Sequence, residues 1–270
     1  MAAKSNSKRL WPHLSMLHTP QPGTQFYRVT DRGRSWADVL SGGGAYYSSG
    51  GRYNSVQQRT VYAAADPLVS IAEFAFHKAA ELQMFIGGGR LNAQPLAAPP
   101  LPLAYEQFLW CFTLNHAPQM VDVEHPLALH TFPHQPFELL NPTSDAYHRT
   151  TMLASLVRQH PNPQQPAVGG ILAPSVRTPP SHGYIPQQYV FFVPQNVLAI
   201  PGTLVRRWKL TIEFKDVAGQ GVTHQTREIA WARPWIRFHG ARTPVPVFLQ
   251  RPNAHPFMPR TGYQIEVKFA

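Results

Sequence analysis

Prolines interrupt this chain so often that they argue for turns and irregular connections rather than long helices: 28 of its 270 residues are proline, with no Gly-X-Y period, roughly twice the usual 5%. A proline inside a helix removes a hydrogen bond and clashes with the preceding turn, so such a chain is built from short elements, turns and irregular connections. Hydrophobic residues at 43% against 14% charged make it too apolar for a disordered polyelectrolyte and sufficient for a folded core. Cys111 is the only cysteine and lies in the apolar run Phe108-Leu109-Trp110-Cys111-Phe112, which rules out a disulfide scaffold. No continuous apolar stretch follows Lys4, Lys8 and Arg9, and nowhere do about 18 apolar residues run together. The sequence therefore predicts neither a cleavable signal nor a membrane span.

Short strands are predicted at Phe26 to Thr30, Thr60 to Ala64, Gln107 to Leu114, Gln119 to Val123, Val168 to Ala173 and Tyr189 to Val193. One helix is predicted from Asp66 as N-cap and Pro67 at the first helical position, with Leu68, Ile71, Ala72, Ala75, Ala79 and Leu82 along one stripe. A second runs from Thr143-Ser144 to about His160. Beyond the Pro201-Gly202 turn, Trp208, Leu210, Ile212 and Phe214 alternate with Lys209, Thr211, Glu213 and Lys215, as in a half-buried strand. Tyr263, Ile265, Val267 and Phe269 repeat the pattern, and a weaker strand is expected near Val222 to Ala230. The expected fold class is α+β, a mixed sheet with a few helices and a C-terminal antiparallel extension. Three parts are drawn: a basic tail over 1–23, a core over 24–200 and a basic β-rich extension over 201–270. Whether the last is a separate domain or extra strands on one sheet is open at this level.

Charge follows the same division. The net charge is +10, yet residues 24–200 carry ten basic and ten acidic residues, while 201–270 carry eleven basic and four acidic. Basic strands such as Arg206 to Lys215, and Arg233 to Arg237 with Trp235, permit a nucleic-acid partner. No RNP or helix-turn-helix pattern accompanies them, so that reading is not favoured.

Familiar chemical motifs are missing. The clusters Gly42-Gly43-Gly44, Gly50-Gly51 and Gly87-Gly88-Gly89 fit neither GxxxxGK[ST] nor Rossmann spacing and read as loops. His116, His125, His130 and His134 are separated by Pro126 and Pro133, and no Cys pair or HExxH joins them, so no metal site is expected. No GxSxG elbow is present. What remains is Arg28 within an apolar strand and Arg52 in Gly50-Gly51-Arg52-Tyr53-Asn54. Arginine forks suit phosphate, and nearby aromatics suit a flat cationic ring. Glu73 lies about 140° from Leu68 around its helix, which by periodicity alone makes it a solvated surface residue.

Five segments in order carry a resemblance: Tyr27-Arg28-Val29; Gly44-Ala45 leading to Gly50-Gly51-Arg52-Tyr53-Asn54; Val61-Tyr62-Ala63; Ile71-Ala72-Glu73; and Gly170-Ile171-Leu172-Ala173-Pro174-Ser175-Val176-Arg177. With Gln119 to Val123 as a middle strand, residues 24–200 resemble the RES domain family. The resemblance implies an ADP-ribosyltransferase-like fold, a split mixed sheet, and a toxin that degrades NAD as glycohydrolase or phosphorylase. NAD would be the substrate, with water or inorganic phosphate as acceptor and no metal. An Xre-type antitoxin is the implied partner and the cytoplasm the implied site of action, with delivery into another cell also open. Glu73, Arg28 and Ser175 would be the catalytic set, and Arg52, Tyr62, Tyr53, Asn54, Tyr27 and Arg177 would bind substrate. Transfer of ADP-ribose to a macromolecule by the same pocket is the enzymatic alternative. The chain departs from the family in continuing Ser55-Val56-Gln57-Gln58-Arg59 after Asn54, where a glycine is usual, and in having Tyr53 where Trp is common.

Overall fold

The computed structural model describes residues 16–44, 51–75, 103–126, 128, 147–159, 168–175, 186–214, 234–238 and 245–246. Its strands are β1 (Leu17–His18), β2 (Phe26–Asp31), β3 (Thr60–Ala64), β4 (Leu103–Leu114), β5 (Gln119–Asp122), β6 (Val168–Pro174), β7 (Gln187–Phe192), β8 (Gly202–Phe214), β9 (Pro234–Phe238) and β10 (Val245–Pro246). They form one sheet in the order β1-β5-β6-β7-β3-β2-β4-β8-β9-β10. The β5–β6 pair is parallel, and the other neighbours are antiparallel. The helices are α1 (Trp36–Ser41), α2 (residues 67–75) and α3 (Tyr147–Gln159). The α+β class and the mixed sheet are as expected.

The six strands predicted before residue 200 are all present. Two elements in that part were not foreseen, and beyond it β10 was not. The helix α1 spans six residues, too few to show a helical period, and β1 spans two. Helix α1 is fixed by its ends instead: the Ser35 amide donates to Asp38 Oδ2 at 2.8 Å, and Gly42 closes it in the left-handed region at φ 65°. A Cβ on Gly42 would also lie 2.5 Å from the Thr60 nitrogen. Helix α2 begins as predicted, with the Leu68 amide donating to Asp66 Oδ1 at 2.8 Å. Its Ile71, Ala72 and Ala75 are buried and Leu68 is half-buried. Ala79 and Leu82, the start of the second helix at Thr143-Ser144, and the strands expected at Val222 to Ala230 and Tyr263 to Phe269 lie outside the described residues.

Two cores follow from the alternation of the strands. On one face Val39 and Leu40 of α1 pack with Phe26, Val61, Ala63, Trp110, Phe112, Leu172, Tyr189 and Phe191. On the other, Leu153, Ala154 and Val157 of α3 pack with Tyr53, Val121, Ile171, Ala173, Val190 and Phe192. Trp110 is buried, and its indole N–H donates to Thr30 Oγ1 at 2.8 Å. That bond satisfies the one polar atom of the largest side chain in the core.

Between β2 and β3 the sheet parts. Their registration is Tyr27 with Ala64 alone, whereas β3 pairs with β7 from Thr60 to Ala64 and β2 pairs with β4 from Phe26 to Asp31. This is the split expected of the fold, and it falls beside Arg28 and Tyr62.

Strand β8 continues the same sheet. It pairs with β4 from Leu103–Phe214 to Leu114–Gly202, with a register shift between Cys111 and Phe112, and buries Leu210. The described C-terminal strands are thus extra strands on one sheet, and residues 203–207 are exposed along it. Deleting β8 would leave an unpaired edge on β4, beside the buried Leu109 and Cys111. In near-ultraviolet circular dichroism the full chain is expected to unfold cooperatively on heating, and a chain ending at residue 200 is expected to lose that transition. Retention of the full-length transition would contradict this.

Candidate active site

Glu73 projects from α2 and Ser175 follows the end of β6. The Ser175 hydroxyl donates to Glu73 Oε1 at 2.7 Å. Ser175 is itself held, its amide donating to the Pro186 carbonyl at 2.7 Å. The glutamate that helical periodicity assigns to the surface is therefore half-buried and engaged across the fold. Val69, Ser70, Ile71, Ala72 and Ala75 of α2 are buried, and Glu73, about 40° beyond Val69 around the helix, sits at the margin of the apolar stripe, where β6 ends.

Arg52 joins this pair through the backbone. It is buried, donates from Nη1 to the carbonyl of Pro174 at 2.8 Å, and lies 4.9 Å over the Tyr53 ring. Its Nε and Nη2 are buried with no hydrogen-bond partner among the described residues. Buried guanidinium donors without acceptors are costly, and an anionic group placed there would satisfy them.

The turn that carries Arg52 is tied to β3 by one hydroxyl. Tyr62 Oη accepts from the Tyr53 amide at 2.9 Å and donates to Asn54 Oδ1 at 2.7 Å. Gly51 and Asn54 pair with each other through their backbones. A Cβ on Gly51 would meet Asn54 Oδ1 at 2.6 Å and Tyr62 Oη at 2.9 Å, so only glycine fits. Asn54 Nδ2 donates to the Ser55 carbonyl at 3.0 Å. Tyr62, Tyr53 and Asn54 thus act on one another before they act on any ligand.

Arg28 and Tyr27 are placed differently. Arg28 donates from Nη1 to the Val39 carbonyl near the end of α1 at 2.5 Å, on the α1 side of the sheet. Tyr53 and Tyr62 pack on the α3 side. Burial lowers the Arg28 pKa to about 10, the charge of Arg34 adds to this, and nearby Tyr62 opposes it. It stays charged at neutral pH. Tyr27 turns away, donating to Gln25 Oε1 at 3.2 Å with its ring 6.4 Å from that of Trp208. Burial, then Cys111, pushes the Tyr27 hydroxyl up to about 12. Arg177 lies outside the described residues.

The structure adds a carboxylate that no motif marked. Glu124 lies just past β5, and its backbone amide donates to Asp122 Oδ1 at 3.0 Å. Burial raises its pKa and Asp122 adds to this, while Gln187 and Arg52 pull it down. Two acids flanking the end of a predicted strand, Asp122 and Glu124, were the only available signal. Among the described residues no group of three His, Cys, Asp or Glu could hold a metal ion.

The RES domain family model matches residues 25–213. The chain belongs to the RES domain family. The match takes in most of β8, past the turn at 201–202. No curated protein matches the chain. Among solved structures it is similar to a chain of the M. tuberculosis MbcT–MbcA toxin–antitoxin complex, at 16% identity and a TM-score of 0.46, covering 71% of this chain and 86% of that one.

Two outcomes are expected of this RES domain. Tyr62→Phe removes a donor and an acceptor at once and is expected to cost about 1–3 kcal/mol in thermal unfolding. Inorganic pyrophosphate is expected to stabilise the wild type, by about 2.7 kcal/mol at 100 times its Kd. The gain should shrink in Arg52→Met, and sodium chloride at matched ionic strength should not reproduce it. Equal gains in both proteins would show that Arg52 does not hold the anion.

Proposed function

We propose that this protein degrades NAD by breaking the bond between nicotinamide and ribose, with water or inorganic phosphate as acceptor. The observation that carries the reading is the Ser175–Glu73 hydrogen bond beside the buried donors of Arg52. It couples a fixed carboxylate to a site for anionic groups.

In this reaction the C1′–N1 pair of electrons goes to the ring nitrogen and neutral nicotinamide leaves. The sugar becomes oxocarbenium-like, and a carboxylate fixed nearby stabilises that charge. Ser175 fixes Oε1 of Glu73, which leaves Oε2 for the sugar. Because the leaving group departs neutral, no general acid is required, and catalysis rests on positioning and electrostatics. Arg52 takes the diphosphate or the attacking phosphate, and Arg28 adds positive charge across the split. Tyr62 on β3 bounds the nicotinamide ring, while the buried Tyr53 and Asn54 shape the turn beside it. Tyr27 and Arg177 belong to this set through the family resemblance. Attack by water yields ADP-ribose and a proton; attack by phosphate yields the 1-phosphate ester of ADP-ribose.

A toxin of this kind requires an inhibitor in its own cell, and the family resemblance supplies the expectation of an Xre-type antitoxin. The cytoplasm, where NAD is abundant, is the proposed site of action. Among the described residues no helix is long and apolar enough to cross a membrane.

Purified protein incubated with NAD, with and without phosphate, is expected to release nicotinamide measurable by chromatography. Glu73→Ala is expected to lower kcat by about 100-fold or more, the effect usual for losing one preorganised electrostatic group. Wild-type turnover by that variant, or no NAD loss at high protein concentration, would overturn the reading. Label from NAD recovered on a macromolecule instead would favour ADP-ribose transfer. Salt-sensitive binding to nucleic acid without NAD loss would favour the non-enzymatic alternative.

A further inference from the structure

Segment 51–60 carries Arg52, Tyr53 and Asn54 and is shaped locally by loop bonds: Asn54 Nδ2 and the Gln58 amide donate to the Ser55 carbonyl, and the Ser55 amide donates to Gln58 Oε1. Apart from the Gly51–Asn54 bridge it forms no regular structure before β3, and Gln57 sits at φ 65°, which a side chain disfavours. Those bonds shape the turn, whereas its place against the sheet is set from outside, by Tyr62 and by α3.

Helix α3 touches both of its ends. Thr151 Oγ1 donates to the Gly51 carbonyl at 3.3 Å. Arg158 Nη2 donates to Thr60 Oγ1 at 2.6 Å and, at the long limit of 3.5 Å, to the Arg59 carbonyl. Thr151 and Arg158 are seven residues apart, hence two turns apart on one face of the helix. The helix itself is anchored by Leu153, Ala154 and Val157 in the core. The Arg158 guanidinium lies 3.7 Å over the ring of Phe192, which pairs with Thr60, so the contact is held from the side as well as the end.

Burial lowers the Arg158 pKa to about 10, with Tyr62 opposing. An apolar side chain would fill this space without the cost of desolvating a charge. Packing therefore does not account for an arginine here, whereas a directional grip on the segment does.

We infer that Thr151 and Arg158 are positioning residues: α3 clamps segment 51–60 at both ends and so sets Arg52 against Pro174, beside Ser175. The catalytic half of this inference rests on the NAD reading above; the structural half does not.

Hydrogen exchange and NAD kinetics on the full-length Thr151→Val, Arg158→Lys and Arg158→Met variants test it. In Arg158→Met, amides of residues 51–60 are expected to exchange about tenfold faster, the equivalent of one lost hydrogen bond, while β6 and β7 keep wild-type protection. Thr151→Val, nearly isosteric, is expected to show the change at the Gly51–Asn54 end. In both, KM for NAD should rise about tenfold while kcat changes little, because ground-state placement is what is lost. Arg158→Lys keeps the charge without the fork and should fall between. Unchanged exchange in 51–60, or acceleration spread equally over the whole sheet, would overturn the clamp. A fall in kcat at constant KM would overturn the positioning role. Should wild type leave NAD intact, the NAD reading fails and the exchange measurements still decide the clamp.

Discussion

Strands β2 and β3 lie side by side yet share a single registered pair, Tyr27 with Ala64, and the rest of the molecule is arranged around that opening. A sheet that parts leaves backbone edges facing one another without ladder bonds, a position ordinarily closed by another strand or a covering element. Here β2 is secured on its other side by the long β4, and β3 by β7. The two halves of the sheet are therefore each well supported, and the gap between them costs neither its partner. Arg28 lies just beyond the last pair on one lip, and Tyr62 lies on the other.

The same arrangement explains how a formally neutral core accommodates buried cations. Arg28, Arg52 and Arg158 each give up water and recover part of that loss through a carbonyl, an aromatic face or a hydroxyl. Their work is local. The basic residues described beyond the turn, Arg206, Arg207, Lys209 and Arg237, lie on β8 and β9. Net charge and site chemistry are separate properties in this chain, and the +10 describes the former.

Much of the fold was legible because it is written in short periods. Thr60 to Ala64 was expected as a strand and is one to the residue; Asp66-Pro67 was expected to open a helix, and the Asp66 carboxylate caps it. Helix α1 escaped because six residues do not display a period and its ends are set by Ser35, Asp38 and Gly42 acting together. The alternation at Trp208 and Leu210 announced a strand but not its neighbour, because pairing with β4 depends on residues about a hundred positions away.

Amino-acid order by itself determined the residue types available to the site, the glycine beside Arg52, the capped helix carrying Glu73 and the family to which residues 25–213 belong. These are properties of neighbours along the chain, where steric fit and hydrogen bonding act over a few residues. Tertiary structure alone decided that Glu73 is not a solvated helix residue but the acceptor of Ser175, more than a hundred positions away. It also decided that Arg28 stands on the α1 side of the split, and that α3 holds the segment bearing Arg52. A helical period reports which side of a helix is apolar; it carries no information on which polar group the margin of that side will meet, because that depends on where a distant strand ends.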